Sequence, residues 1–245
     1  MPKGQKDILS ESFDIDQLKA SVKKSVELEE PIHKLHISIS EGLYLIALGD
    51  EEGQLLKKSE KVIDYGLIVG GILELYLIGN IRIEKEIIKI SSTNQTGNIF
   101  LDSILINLTE RSGIIEELLR LKNNFNKLHI HLEELLIARG ILERKENSLL
   151  WVPLSERMEN VNYAYEQEIR NTLRALVLRG FKNDISFSIL LSLTNDCHLL
   201  SEVFRFSNEL SDAKNCVQNL RELAGVNEEL ANILGLISRF FKKIS

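Results

Sequence analysis

The segment Ile63–Ile78 constrains this chain most, because it is apolar on most faces of a helix and carries Gly66, Gly70 and Gly71. A helix of that kind has to be enclosed, and its glycines let neighbours approach closely. Its apolar run Gly66–Ile78 is 13 residues long and contains Glu74, well short of the roughly 20 residues of a bilayer span. The spacing therefore predicts a buried core helix and no transmembrane helix. The glycines are not a nucleotide loop, since no Gly-Lys-Ser/Thr ending follows and no dinucleotide spacing is met. Gly79-Asn80 tolerates the left-handed conformation and ends the helix. Ile81–Ile90 then reads as two short strands around a charged turn.

The same order of helix, stop and hairpin returns further along. Phe125–Ala138 reads as a helix with Leu128, Leu132, Leu135 and Leu136 on one side. Arg139-Gly140 stops it, and Ile141–Arg144 runs through Lys145-Glu146-Asn147-Ser148 into Leu149–Val152. Between the two units lie the turn Thr96-Gly97-Asn98 and an amphipathic helix carrying Leu101, Ile104, Leu105 and Leu108. After Pro153 everything reads helical: Tyr163–Arg179, Ile185–Leu200, Glu202–Phe206, Asp212–Leu223 and Glu228–Phe241. Only 14 Gly and 3 Pro in 245 residues leave too few tight turns for an all-β sandwich or barrel. The expected fold is mainly α: one compact helical domain with two or more short β-hairpins following helices. It spans 36–245 and opens with His36–Leu48, which alternates before becoming continuously apolar. Residues 1–35 form a polar arm with one short helix around Ile15, Leu18 and Val22.

Thirty Lys+Arg against 36 Asp+Glu give a net charge of −6, which argues against wholesale binding of a phosphate backbone while allowing a local basic patch. A winged-helix nucleic-acid binder would share the helix-plus-hairpin grammar. Its recognition helices would be Ile63–Ile78 and Phe125–Ala138, which are apolar or acidic where base-reading helices are basic. No nucleic-acid partner is expected. Both cysteines, Cys197 and Cys216, lie in apolar-periodic segments, and the first residues lack a signal-peptide core, so the expected location is cytoplasmic.

Few residues point to chemistry. His129 and His131 diverge by about 200° on a helix and cannot chelate one ion. Cys197-His198 lacks partners at ligand spacing. Glu116-Glu117 and Glu133-Glu134 read as solvated faces. No enzyme activity, cofactor or metal is expected. Two features stand out. Trp151, the single tryptophan, lies in Leu149-Leu150-Trp151-Val152 on the outgoing arm of a hairpin that carries Arg144 and Lys145. Such an arm either closes the core or presents an apolar tip beside cations, which suits a membrane interface or a subunit contact. Lys57-Lys58 and Lys61, just ahead of the buried helix, are either a solvated loop or part of a basic face.

The residues from Leu43 to Gly53, Asp64-Tyr65-Gly66-Leu67, and Leu73 through Ile81 resemble the opening signature of the Golgi phosphoprotein 3 family. Thr96-Gly97-Asn98 with Leu101-Asp102 resembles its Thr-Gly-Asp turn and following helix. Ala138–Leu142 and Leu149-Leu150-Trp151 resemble its second helix stop and apolar hairpin. The short segment ahead of the signature is similar to that of bacterial-type members. The resemblance implies a non-enzymatic peripheral membrane adaptor that binds phosphatidylinositol 4-phosphate or other anionic lipid headgroups, engages a protein client and forms homo-oligomers. It also implies a lipid site made of a Trp ahead of the buried helix, an Arg inside it, and two Arg on the helix before the second hairpin. In this chain those positions fall at Lys58 or Ser59, Ile68, Asn126 and His129. The candidate headgroup ligands are therefore Lys57, Lys58, Lys61, His129 and His131, the histidines charging in mild acid. The hairpin residues Arg144, Lys145, Leu149, Leu150 and Trp151 are the candidate membrane or oligomer contact. Ile68 and Asn126 carry no charge for a phosphomonoester, so the alternative is a soluble, self-associating interaction scaffold that has lost the lipid site.

Overall fold

The computed structural model describes residues 37–49, 54–125, 128–149, 152–160, 163–179, 185–219 and 226–245, with the backbone alone for 145–149 and 152–160. The predicted N-terminal arm lies outside the described residues.

Ten helices and two hairpins make up this part of the chain. Helix α1 (Ile39–Ala47) begins with a reciprocal cap: the Ser38 hydroxyl accepts from the Glu41 N–H at 3.1 Å and the Glu41 carboxylate accepts from the Ser38 N–H at 3.1 Å. This run alternates like a strand at its start, yet the cap turns it into a helix whose every residue is buried. Helix α2 (Ile63–Leu77) forms where the apolar pattern predicts it and is the axle of the fold, packing on α1 and on four later helices. Its glycines are close-approach points: a Cβ on Gly66 would sit 2.6 Å from Cys197 Sγ and 2.8 Å from Leu43 Cδ2, and one on Gly71 2.3 Å from Ile104 Cδ1. Gly79, at φ +84, ends the helix, and the Asn80 N–H returns to Leu75 O at 3.0 Å.

Strands β1 (Ile81–Glu84) and β2 (Ile87–Ile90) pair antiparallel from Ile81↔Ile90 to Glu84↔Ile87, as expected. Their two-residue loop puts Lys85 and Glu86 at φ 51 and 66, the left-handed backbone that such a tight hairpin requires. Helix α3 (Ile99–Asn107) is capped by Asn98 and steadied by Asp102, which accepts from the Thr96 N–H at 2.7 Å. Helix α4 (Ile114–Asn124) follows, and Phe125 caps its end. The predicted helix Phe125–Ala138 is therefore shorter, running as α5 (Leu128–Ala138), with Leu128, Leu132, Leu135 and Leu136 buried as expected.

The second hairpin joins β3 (Leu142–Leu149) to β4 (Val152–Asn160). The expectation that all residues after Pro153 are helical is overturned by β4. Pro153 lies beside a register shift at Asn147/Ser148 in a two-stranded ribbon, a place where a missing N–H is tolerated. Beyond it come α6 (Tyr163–Leu178), α7 (Ile185–Asp196), the short α8 (Leu200–Val203), α9 (Ser207–Gln218) and α10 (Glu228–Ile244). Helix α7 ends sooner than the predicted Leu200 because His198 takes φ 63. Helix α9 starts sooner than the predicted Asp212, and Leu223 lies outside the described residues. In α10 the apolar stripe Leu230, Ile233, Leu234, Ile237 and Phe241 is buried, and the helix packs on α7. No helix among the described residues is long and apolar enough to cross a membrane.

Candidate functional site

The segment between α1 and α2 is tied down before it delivers its lysines. Leu55 bridges to Leu48, and the Leu56 N–H donates to Ala47 O at 2.9 Å. Ser59 is fully buried; its hydroxyl donates to Leu56 O at 2.9 Å and its carbonyl accepts from Val62 and Ile63. This turn holds Lys57, Lys58 and Lys61 outward, all exposed. The Lys58 ammonium donates to Ser201 Oγ at 2.7 Å and pairs with Glu202. Neither Lys57 nor Lys61 has an ion pair among the described residues.

Three residues after Lys61, Asp64 in the first turn of α2 collects two basic side chains. His129 Nδ1 lies 2.7 Å from Asp64 Oδ1, and Lys122 Nζ lies 2.7 Å from Oδ2. Burial opposes ionisation of Asp64, but the hydrogen bonds from His129 and Lys122 outweigh it and hold the carboxyl below its ordinary range. The helix N-terminus favours the same charged form. His131, two residues on from His129, is half-buried. Burial pushes its pKa down against the attraction of Glu134, so it charges at lower pH than an ordinary histidine. One turn beyond His129, Glu133 accepts from the buried hydroxyl of Tyr44, whose proton is held tightly by burial and by that carboxylate.

The hairpin residues are reached next. Arg144 pairs with Glu134 at 2.6 Å on an exposed surface. Lys145 stands opposite Arg157 and Leu149 opposite Val152 in the backbone register. Leu150 and Trp151 lie outside the described residues, as does Asn126.

A second set of cations comes from α10. Lys242 and Lys243 in its last turn are exposed. The rings of Tyr65 on α2 and Phe240 on α10 meet edge-on, with centroids 5.5 Å apart at 70°. The Ser238 hydroxyl donates to Asp196 Oδ1 at 2.8 Å, and the neighbouring Cys197 lies against Gly66. The first turn of α2, the end of α7 and the last turns of α10 thus meet one another. Burial pushes the Asp196 carboxyl up to about 6, against the downward pull of Ser238, Asn195 and Lys242. Its Oδ2 has no hydrogen-bond partner among the described residues. Cys197 is fully buried and its thiol is pushed well up by burial, which makes it unreactive.

The sequence pattern of the family described as Golgi phosphoprotein 3 (GPP34) matches residues 39–235. The chain belongs to the Golgi phosphoprotein 3 family. No curated protein matches it. The mainly helical fold with its hairpins agrees with this membership.

At the positions the family resemblance marks for lipid contact, Ser59 and Ile68 are fully buried and His129 is engaged by Asp64. The Ile68 side chain belongs to the core, so it offers nothing to a phosphate. A cavity of about 480 Å³ lies at the opposite end of α10, lined by Ile83, Lys85, Glu86, Glu228, Glu229, Asn232 and Ile233. Its three carboxylates repel an anionic headgroup. Among the described residues no group of His, Cys, Asp and Glu is arranged to hold a metal ion. Lys242 and Lys243 were unassigned by sequence reasoning. The signal was a Lys-Lys pair closing an amphipathic helix, which by itself only offsets a helix dipole.

Proposed function

We propose that this Golgi phosphoprotein 3 family member is a non-enzymatic peripheral membrane protein. It attaches to anionic lipid headgroups, phosphatidylinositol 4-phosphate among them, and acts there as an adaptor for a protein client. The observation that carries this reading is the lysine turn: Ser59 is fully buried beneath it, while Lys57 and Lys61 are exposed without ion pairs among the described residues. Ammonium groups held this way are strongly hydrated point charges. They attract a negative surface without selecting one phosphate geometry. Attachment is therefore electrostatic, salt-sensitive and broad in headgroup preference.

Co-sedimentation tests this. Vesicles of phosphatidylcholine mixed with phosphatidylserine, or with phosphatidylinositol 4-phosphate at equal total charge, should carry the protein down to similar extents at low salt, and high salt should release it. Failure to sediment with either at low salt would remove lipid attachment.

The second reading is a soluble scaffold that self-associates through the β3–β4 hairpin. It is favoured by the internal pairing of Lys58 with Glu202 and Arg144 with Glu134, and by the hydrogen bond that engages His129 with Asp64. Light scattering separates the two: an oligomer that Trp151→Ala dissociates supports the scaffold, and a monomer in both proteins counts against it.

A further inference from the structure

Helix α10 contributes charge as well as packing. Its last turn carries Lys242 and Lys243, both exposed and without ion pairs among the described residues. Offsetting the helix dipole leaves those ammonium groups in solvent. The Tyr65–Phe240 contact brings this turn to the start of α2, four residues after Lys61. The Ser238–Asp196 hydrogen bond and the seating of Cys197 against Gly66 fix the same convergence from α7. The acids on these elements are mostly taken up: Glu202 is paired with Lys58, Asp64 is held by Lys122 and His129, Asp196 is buried beneath Ser238 where it attracts Lys242, and Glu60 is the exposed acid of the lysine turn. Arg239, one turn earlier, lies back toward Gly235 and is not needed.

We propose that Lys242 and Lys243 join Lys57 and Lys61 in one cationic face, spread over the end of α10 and the start of α2, that lies against an anionic bilayer. This rests on the lipid reading above and enlarges its surface. A bilayer suits the face better than a nucleic acid does. It meets one side of the molecule, so acids elsewhere on a chain with net charge −6 stay out of contact with it. A polyanion that wraps would meet them. Two half-buried rings among lysines also suit the headgroup level of a membrane.

The test measures partition of the full chain into phosphatidylcholine vesicles with and without phosphatidylserine. Lys242→Gln/Lys243→Gln and Lys57→Gln/Lys61→Gln are compared with the control Lys85→Gln, at the far end of α10. Each lysine at the surface contributes about 5-fold, so each double variant should bind about 30-fold more weakly. The control and Lys242→Arg/Lys243→Arg should bind as wild type does, and equal thermal midpoints establish that folding is unchanged. If the α10 pair has no effect while the lysine-turn pair weakens binding, this inference fails and the lipid reading stands. If wild type ignores phosphatidylserine vesicles at low salt, both fail. A DNA gel shift that the α10 substitutions abolish, with vesicle binding unmoved, overturns the bilayer as occupant.

Discussion

Replacing Asp196 by Asn should stabilise the protein at neutral pH and flatten its response to pH. The carboxyl is 5% exposed, with one oxygen lacking a partner, and burial pushes it to about 6 from an ordinary 3.8. Because the folded-state value lies above the unfolded one, the folded protein binds this proton more tightly. Its stabilising effect is complete below about pH 4 and is lost as pH rises through about 6. A gap of roughly two pH units corresponds to at most about 3 kcal/mol at pH 8, or about 6–12 °C in Tm for a chain of this size. Asn keeps an oxygen to accept from Ser238 and carries no charge to bury. Thermal melts of wild type and Asp196→Asn at intervals from pH 4 to 8 test this, since every other titration cancels in their difference. Ser238, Asn195, Lys242 and Cys197 face the carboxyl and are the same in both proteins. The variant should gain on wild type mainly between pH 4 and 6 and hold that lead to pH 8. Parallel curves, or a variant less stable at pH 8, would refute the reasoning.

Gly66→Ala places a methyl 2.6 Å from Cys197 Sγ and 2.8 Å from Leu43 Cδ2. Urea titration should show a loss of about 1–3 kcal/mol from overpacking, despite alanine's better helix propensity. Arg139→Ala strips the guanidinium from Glu41, which is 1% exposed and bonded to it at 2.6 Å; about 1–3 kcal/mol should be lost. Glu41→Gln/Arg139→Met should recover part of that loss, read again from urea midpoints. Asp64→Asn removes the negative charge and one of the two oxygens that Lys122 and His129 engage. Because the Asp64 pKa lies below its ordinary value, its contribution is present above the ordinary carboxylate range and vanishes as pH falls below it. Variant and wild-type stabilities should therefore converge in acid, and a gap that widens there would contradict the geometry.

What was legible in the sequence was local. Ile63–Leu77 announces itself by apolar residues on most faces, Gly79-Asn80 by its backbone tolerance, and the first hairpin by alternation around two charged residues. The start of α1 misleads because His36-Ile37-Ser38-Ile39-Ser40 alternates; the deciding signal, Ser38 three residues before Glu41, competes with a strand pattern. Strand β4 was hidden by Pro153 and by a charged composition that also fits a helix. In the site, only the exposure of the lysine turn was legible from local sequence. The partners were not: Asp64 meets His129 from 65 positions away, Lys58 meets Glu202 from 144, and Tyr65 finds Phe240 across most of the chain. Periodicity has no means of encoding such pairings, which arise only when the helices pack.

The bridge from Leu48 to Leu55, the bond from Leu56 to Ala47 and the Ser59 hydroxyl on Leu56 have an entropic consequence for any encounter. A positively charged segment that is slack in solution has to be immobilised on arrival, and each residue brought to rest offsets part of the attraction. Here the backbone beneath the ammonium groups is already arrested. The outlay was made when the chain folded, so contact need only quieten the tips of the side chains.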